Sequence, residues 1–199
     1  MNKIGQLWRI ATHPRELRLA LSGLGARLGG DDALGGLTDE ETAALVRWTR
    51  ESGASSFVEI GTLFGLTAVA VSRGTDATVT AVDNFCWNPF GLTGEQHEAF
   101  ARRIVAGSGA ELVRADAHAF LDALQEHVDP HNAIVFLDGS HAYEDVRREI
   151  ETCRARGVRI IAGHDFGNNR FGVTRAVRET IGEPDEVVGM CWIKRFRDA

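Results

Sequence analysis

Cysteine is scarce. Cys86, Cys153 and Cys191 are the three in a chain of 199 residues, far apart and without a Cys-x-x-Cys spacing, which argues against a zinc cluster and a disulfide framework and fits a reducing cytoplasm. Long hydrophobic runs are missing too. Charges break the early apolar positions every few residues, and nothing approaches the ~20 residues that a spanning helix needs, so neither a membrane span nor a signal peptide is expected. Basic charge is in deficit: 22 Lys and Arg face 28 Asp and Glu, a net charge of −6. A nucleic-acid backbone is therefore a poor partner, because phosphate binding leans on clustered cations. The exception is local, since Lys3, Arg9, Arg15, Arg18 and Arg27 face Glu16 alone near the amino terminus.

What is present is enough for one ordinary domain, with 44% hydrophobic and 25% charged residues. Residues 1–36 are set apart by composition and end in a Gly-Gly-Asp-Asp-Ala-Leu-Gly-Gly linker. Within this arm Leu17, Leu21, Leu24 and Leu28 share one face of an amphipathic helix that Gly23 and Gly25 weaken. Its apolar stripe covers the core of its own domain, closes over a substrate as a lid, or makes a homodimer contact. Thr38-Asp-Glu-Glu41 then reads as a capping box that opens a helix to about Ser52.

From residue 57 to the end, apolar runs and helical stretches alternate: strands at 57–60, 78–82, 111–114, 133–137 and 158–162, helices at 65–72, 95–107, 117–127, 143–155 and 172–181, and a last apolar stretch at 186–196. Such alternation implies right-handed crossovers and an α/β fold, a doubly wound, mostly parallel sheet with helices on both faces. In these sheets ligands collect beyond the carboxyl ends of the strands, and that edge is where the chemistry-bearing residues fall. The first strand, Phe57-Val-Glu-Ile-Gly-Thr-Leu-Phe-Gly65, ends in Glu59 and two glycines, Gly61 and Gly65, that leave room for a ligand to press on bare backbone. Asp83 closes the second strand, about 20 positions beyond Gly61, where an acid can accept from both hydroxyls of a ribose. Asp116 closes the third and can serve an adenine amino group, a helix N-cap, or both. The fourth ends in Asp138-Gly-Ser-His141-Ala-Tyr143-Glu, the fifth in Gly163-His164-Asp165-Phe. Two acids and two histidines converging on one edge is the density of titratable groups expected of an active site.

These motifs, in this order over about residues 38–196 and with Gly172-Val-Thr-Arg-Ala-Val following, resemble a class I S-adenosylmethionine-dependent methyltransferase. The chain looks most like the small bacterial members with Asp-Gly-x-His-x-Tyr-Glu after strand four, distant cousins of the catechol-type O-methyltransferases. The resemblance implies a Rossmann-like seven-stranded sheet in the order typical of that class. It implies that Glu59, Gly61, Thr62 and Gly65 wrap the methionine moiety, that Asp83 and Asn84 hold the ribose side, and that Asp116 and Ala117 read the adenine, with Asp138 closing the site. S-adenosylmethionine has no pyrophosphate, and the loop lacks the third glycine that close phosphate approach requires. An NAD-dependent dehydrogenase would prefer Gly-x-Gly-x-x-Gly; Leu63 stands at the second position.

Carried over residue by residue, the catechol-type pattern makes Asp138, His164 and Asp165 the ligands of a divalent cation (Mg, Mn, Fe or Zn). It puts His141 where those relatives carry a lysine base. Asp138 is then expected to tune His141 upward, and His141 is alternatively a metal ligand itself. A simpler reading has His164 and Asp165 ordering their loop with no ion. Substrate contacts are expected from the aromatic loop 85–90, through Trp87 and Phe90, from Tyr143, the single tyrosine, and from Asn168 and Arg170. The acceptor is expected to be a small molecule, a sugar, phenol or natural-product intermediate, taking the methyl on oxygen. N- or C-methylation, an oxidoreductase and a catalytically silent cofactor-binding protein are the competing readings.

Overall fold

The structure, a computed structural model, describes residues 36–87 and 92–196; the amino-terminal arm apart from Gly36, and Phe90, lie outside them. Helix α1 (Asp39–Ser52) starts at the expected capping box, with Thr38 accepting from the Glu41 amide and Glu41 answering to the Thr38 amide, and ends at Gly53 in the left-handed region. It leads into β1 (Ser56–Ile60), α2 (Leu66–Gly74), β2 (Thr78–Asp83), α3 (Gly94–Val105), β3 (Glu111–Arg114) and α4 (Ala117–Asp122). Then follow β4 (Ala133–Leu137), α5 (Tyr143–Ala155), β5 (Ile160–Gly163), α6 (Val173–Ile181), β6 (Glu186–Val188) and β7 (Cys191–Arg195). The expected helix at 117–127 stops early and finishes as a separate 3-10 turn, Leu124–Glu126. The last apolar stretch divides into two strands at a turn through Gly189 (φ 59°).

The seven strands pair in the order β3-β2-β1-β4-β5-β7-β6. The first five are parallel, and β7 runs antiparallel between β5 and β6. From β1 the chain winds outward through β2 to β3, then returns to β4 on the other side. Ligand crevices form where the winding reverses in this way, so the break between β1 and β4 sets the place of the site.

Strand alternation divides the core into two layers. Phe57, Ile134 and Phe136 face one layer with Leu45 and Trp48 of α1, Val71 of α2 and Val105 of α3. Val58, Ile60 and Val135 face the other with Leu121 of α4, Ile150 of α5 and Val177 of α6. Every residue of β4 is buried, which explains why its sequence has no period of two. Each large apolar side chain sealed in these layers contributes about 1.5–3 kcal/mol, and that rigid sheet holds the loops at its carboxyl edge in place.

Candidate active site

A cleft of about 1220 Å³ opens across the carboxyl ends of β1 to β5. Single-ligand pockets run to about 300–1,000 Å³, so this one has room for two molecules side by side. Among the described residues three non-glycines have positive φ, Leu63 (51°), Phe85 (57°) and Asp165 (59°), and all follow strands that end at this edge. Backbone held in the left-handed region costs on the order of 1–3 kcal/mol per residue and gathers where surrounding structure enforces it for function.

The turn after β1 is held by acids. Glu59 is sealed inside it, accepting from the Thr62 hydroxyl. Burial pushes its carboxyl up to about 7, Asp83 adds to the shift, and the Thr62, Thr67 and Ala68 donors oppose it. Asp83 accepts from the Leu63 amide at 2.9 Å and the Phe85 amide at 2.6 Å, tying the β1 and β2 loops together. Each carboxylate oxygen has a second lone pair, so both can still take a ligand hydroxyl. His97 of α3 bonds the Leu63 carbonyl from below at 2.9 Å.

The glycines act differently from expectation. A Cβ on Gly61 (φ 86°) would sit 2.4 Å from the Asp138 carbonyl oxygen, and one on Gly65 (φ 77°) 2.4 Å from Val105 Cγ2. The space they free is filled by the protein itself. Gly61 lets the β1 and β4 loops meet, and Gly65 starts α2 against α3; of the two, Gly61 also lines the cleft. Thr62, Asn84, Asp116 and Ala117 line it as well, with Asp116 also the N-cap of α4, accepting from the Ala119 amide at 3.0 Å.

On the β4–β5 side the titratable groups form a chain. His164 Nε2 faces Glu41 Oε1 at 3.3 Å, while its Nδ1 faces Asp165 Oδ2 at 3.6 Å and Asp138 Oδ1 at 3.7 Å. His141 Nε2 reaches Asp165 Oδ2 at 3.2 Å. Burial pulls His164 down, but the Asp165, Glu41 and Asp138 carboxylates overrule it and raise it to about 10. Glu41 is the counterpart: burial raises it, yet His164 and the Met190 and Thr38 amides hold it at about 2. Asp138 lies well above the usual carboxylate range, because burial raises it and Asp165, Glu59 and Glu41 add to that, while His164 opposes them. The expected upward tuning of His141 by Asp138 does not occur. Burial lowers His141, and the acid that opposes this is Asp165.

Ligand atoms of Asp138, His141 and Asp165 lie within 4.8 Å of one another. One nitrogen and two carboxylates at that spacing fit a divalent cation. His164 Nδ1 stands beside the same acids, and a second group, Glu41, His164 and Cys191, also meets the spacing.

Of the expected substrate contacts, Trp87, Asn168 and Arg170 line the cleft. Trp87 is 57% exposed. Asn168 donates to Asp165 at 3.0 Å, so it also orders the acid. Tyr143 is a correction. Its hydroxyl donates to Glu179 at 2.6 Å and its ring lies under Arg175, because the start of α5 turns it toward α6 and away from the cleft. Phe171 stands in its place, with its ring 4.3 Å from that of His141. Reasoning from sequence missed Glu41, concealed in its capping box, along with His97, His118 and Glu149. Glu149 had a legible signal: it falls three residues after Val146 and one before Ile150 on the buried face of α5.

Residues 58–166 match the family model of the methyltransferase domain. No curated protein matches the chain in sequence. Solved structures share its fold. An O-methyltransferase from Bacillus cereus in complex with SAH is 15% identical, with TM-score 0.58 over 79% of this chain and 74% of that one. TomG, an O-methyltransferase from Streptomyces achromogenes involved in tomaymycin synthesis and solved with SAM, is 15% identical, with TM-score 0.62 over 90% and 89%. The SAH-bound methyltransferase PaMTH1 from Podospora anserina is 16% identical, with TM-score 0.62 over 84% and 82%.

Proposed function

Because the chain belongs to the methyltransferase domain family, we propose that its cleft binds S-adenosylmethionine and passes the methyl group to an oxygen of a small-molecule acceptor. The observation that carries this reading is the Asp138–His141–Asp165 cluster beside the turn at Gly61 and Thr62, at the reversal of the sheet. The methionine end lies along Gly61 and Thr62, the ribose at Asp83, and the purine toward Asn84, Asp116 and Ala117. That leaves the β4–β5 side for the acceptor, rimmed by Trp87, Phe171, Asn168 and Arg170.

Methyl transfer is an in-line displacement: the acceptor oxygen forms the new C–O bond as the C–S bond breaks, and the hydroxyl proton must leave. His141 takes that proton. Burial favours its neutral form, which is the form a base requires. Asp165, 3.2 Å away, then stabilises the imidazolium that results. Asp138 and Asp165, with His164 Nδ1 3.7 and 3.6 Å from them, are the residues that would hold a divalent cation while His141 stays free as the base. Such an ion supplies Lewis acidity that makes an acceptor hydroxyl easier to ionise. Trp87 and Phe171 present flat apolar surface at the mouth, which supports a planar acceptor such as a phenol. Arg170 makes no ion pair among the described residues and can meet an acidic substituent. Gly36 and Leu37, where the arm joins, also line the cleft, which supports the arm as a lid; a homodimer through it stays the alternative.

The test is calorimetry with S-adenosylhomocysteine, followed by transfer from methyl-labelled donor to a panel of phenols and sugars, with EDTA and with added Mn or Mg. Binding of S-adenosylhomocysteine without NAD binding, and label on oxygen, are expected. NAD binding in its place would return the chain to the oxidoreductases.

A further inference from the structure

The cleft has a polar wall at its β3 end of which the reading above uses Asp116 alone. Asp116, His118, Asp145 and Glu149 line it, the first two from the start of α4 and the others one turn apart on α5. Asp145 is already engaged, by the Ser140 hydroxyl at 2.7 Å and by His118 Nε2 at 3.6 Å. Two other atoms of this wall are sealed from solvent with no hydrogen-bond partner: Glu149 Oε2 and His118 Nδ1. Glu149 is 1% exposed. An unsatisfied buried polar group is costly to a fold, and a native fold that keeps two of them in one ligand cleft calls for a ligand that satisfies them.

We propose that Glu149 reads the purine of the methyl donor, its carboxyl pairing with the exocyclic amino group and the adjacent ring nitrogen, while His118 closes the same wall. The inference rests on the donor reading of the cleft. It follows from complementarity. An adenine edge sets an N–H donor beside a ring-nitrogen acceptor, the pattern that a side-chain amide matches with two hydrogen bonds. A protonated carboxyl offers the same acceptor and donor side by side. Burial pushes Glu149 up to about 8, and Asp145 and Asp116, which face it, push the same way. The proton is therefore in place at neutral pH. The remaining titratable neighbours are Cys153, one turn on, whose thiol burial drives upward, and His118 across the wall.

The experiment measures binding of S-adenosylhomocysteine, and of the analogue whose purine lacks the 6-amino group, to the full chain by calorimetry. Wild-type protein should prefer the natural ligand about tenfold, the discrimination of one good hydrogen-bonded edge. Glu149→Gln keeps both hydrogen bonds and should hold affinity within about threefold, with the preference intact. Glu149→Leu should lose about tenfold and bind both ligands alike. Wild-type affinity should also weaken above about pH 8, as the carboxyl loses its donor, while Glu149→Gln shows no such loss; the ligand's own titration is common to both and cancels. Unchanged affinity in Glu149→Leu, or a preference that survives there, overturns the proposal and leaves the donor reading standing. If Glu149→Leu does not fold, parallel pH profiles for wild type and Glu149→Gln overturn it. Wild-type protein that binds no S-adenosylhomocysteine brings down the donor reading, and this proposal with it.

Discussion

Replacing Glu41 by Ala should destabilise the protein by about 3 kcal/mol, although sequence reasoning gives this residue only a capping role. The side chain is 3% exposed. It accepts from the Met190 amide at 2.8 Å, the Thr38 amide at 2.8 Å and the Thr38 hydroxyl at 2.9 Å, and faces His164 Nε2 at 3.3 Å. Truncation leaves the half-buried Met190 N–H and one side of a buried imidazolium unpaired. Breaking a buried ion pair by removing one partner costs about 3–5 kcal/mol. Asp138 and Asp165 remain on the far side of His164, which places the expectation at the lower end. For a chain of this length that is a fall in melting temperature of about 6–12 °C.

The pH dependence carries the sign of both partners. Glu41 has a depressed folded pKa, so its contribution is complete above about 4.5 and is lost as pH falls toward about 2. His164 has a raised one, so its contribution is complete below about 6.5 and is lost as pH rises through about 10. The Glu41→Ala deficit should therefore be largest between about pH 4.5 and 6.5 and shrink on either side. Urea unfolding in EDTA measures it, with Trp48 and Trp192 as buried fluorophores; Trp192 donates to the His164 carbonyl at 3.2 Å and so reports on the same loop. A deficit below about 1 kcal/mol, the scale of a lost helix cap, or one that ignores pH across that range, would refute the coupling.

Gly61→Ala should cost about 2–5 kcal/mol or prevent soluble expression, since the new methyl meets the Asp138 carbonyl at 2.4 Å on a backbone at φ 86°; an equilibrium unfolding curve like that of wild type would contradict it. His141→Ala should lower turnover at least about 100-fold, the usual worth of a general base, while S-adenosylhomocysteine affinity holds in calorimetry. If turnover persists, the base is elsewhere. Asp138→Asn should weaken Mn binding about tenfold or more, read by calorimetry on protein stripped with EDTA, because it removes one of two carboxylates from the cluster. Arg170→Ala should raise KM for an acidic acceptor and leave kcat nearly unchanged, as expected when a binding contact shared by ground and transition states is lost.

Much of the fold is legible without coordinates, because it rests on short-range signals. The capping box at Thr38–Glu41 formed as expected, and so did the apolar runs of β1, β2, β3 and β4. The acids and histidines at strand ends could be located because a parallel sheet sends every strand's carboxyl end to one edge. The boundaries that moved, such as the early stop of α4, depend on packing that local propensity does not encode.

Side-chain direction was harder to read. Tyr143 stands two residues from His141 yet faces Glu179, since the first turn of α5 rotates neighbours to different sides. The same holds for electrostatics. His141 pairs with Asp165, 24 positions away, rather than with Asp138, and burial rather than charge sets its direction of shift. Glu41 reaches His164 across |i−j| = 123 and Met190 across 149. The sequence by itself determined the order of the main elements and the family, and it located the acids and histidines at the strand ends, because periodicity, caps and strand-end placement are local properties of the chain. Only the tertiary structure decided which of those residues face one another and in what charge state, because burial and long-range contact exist only once the sheet has closed.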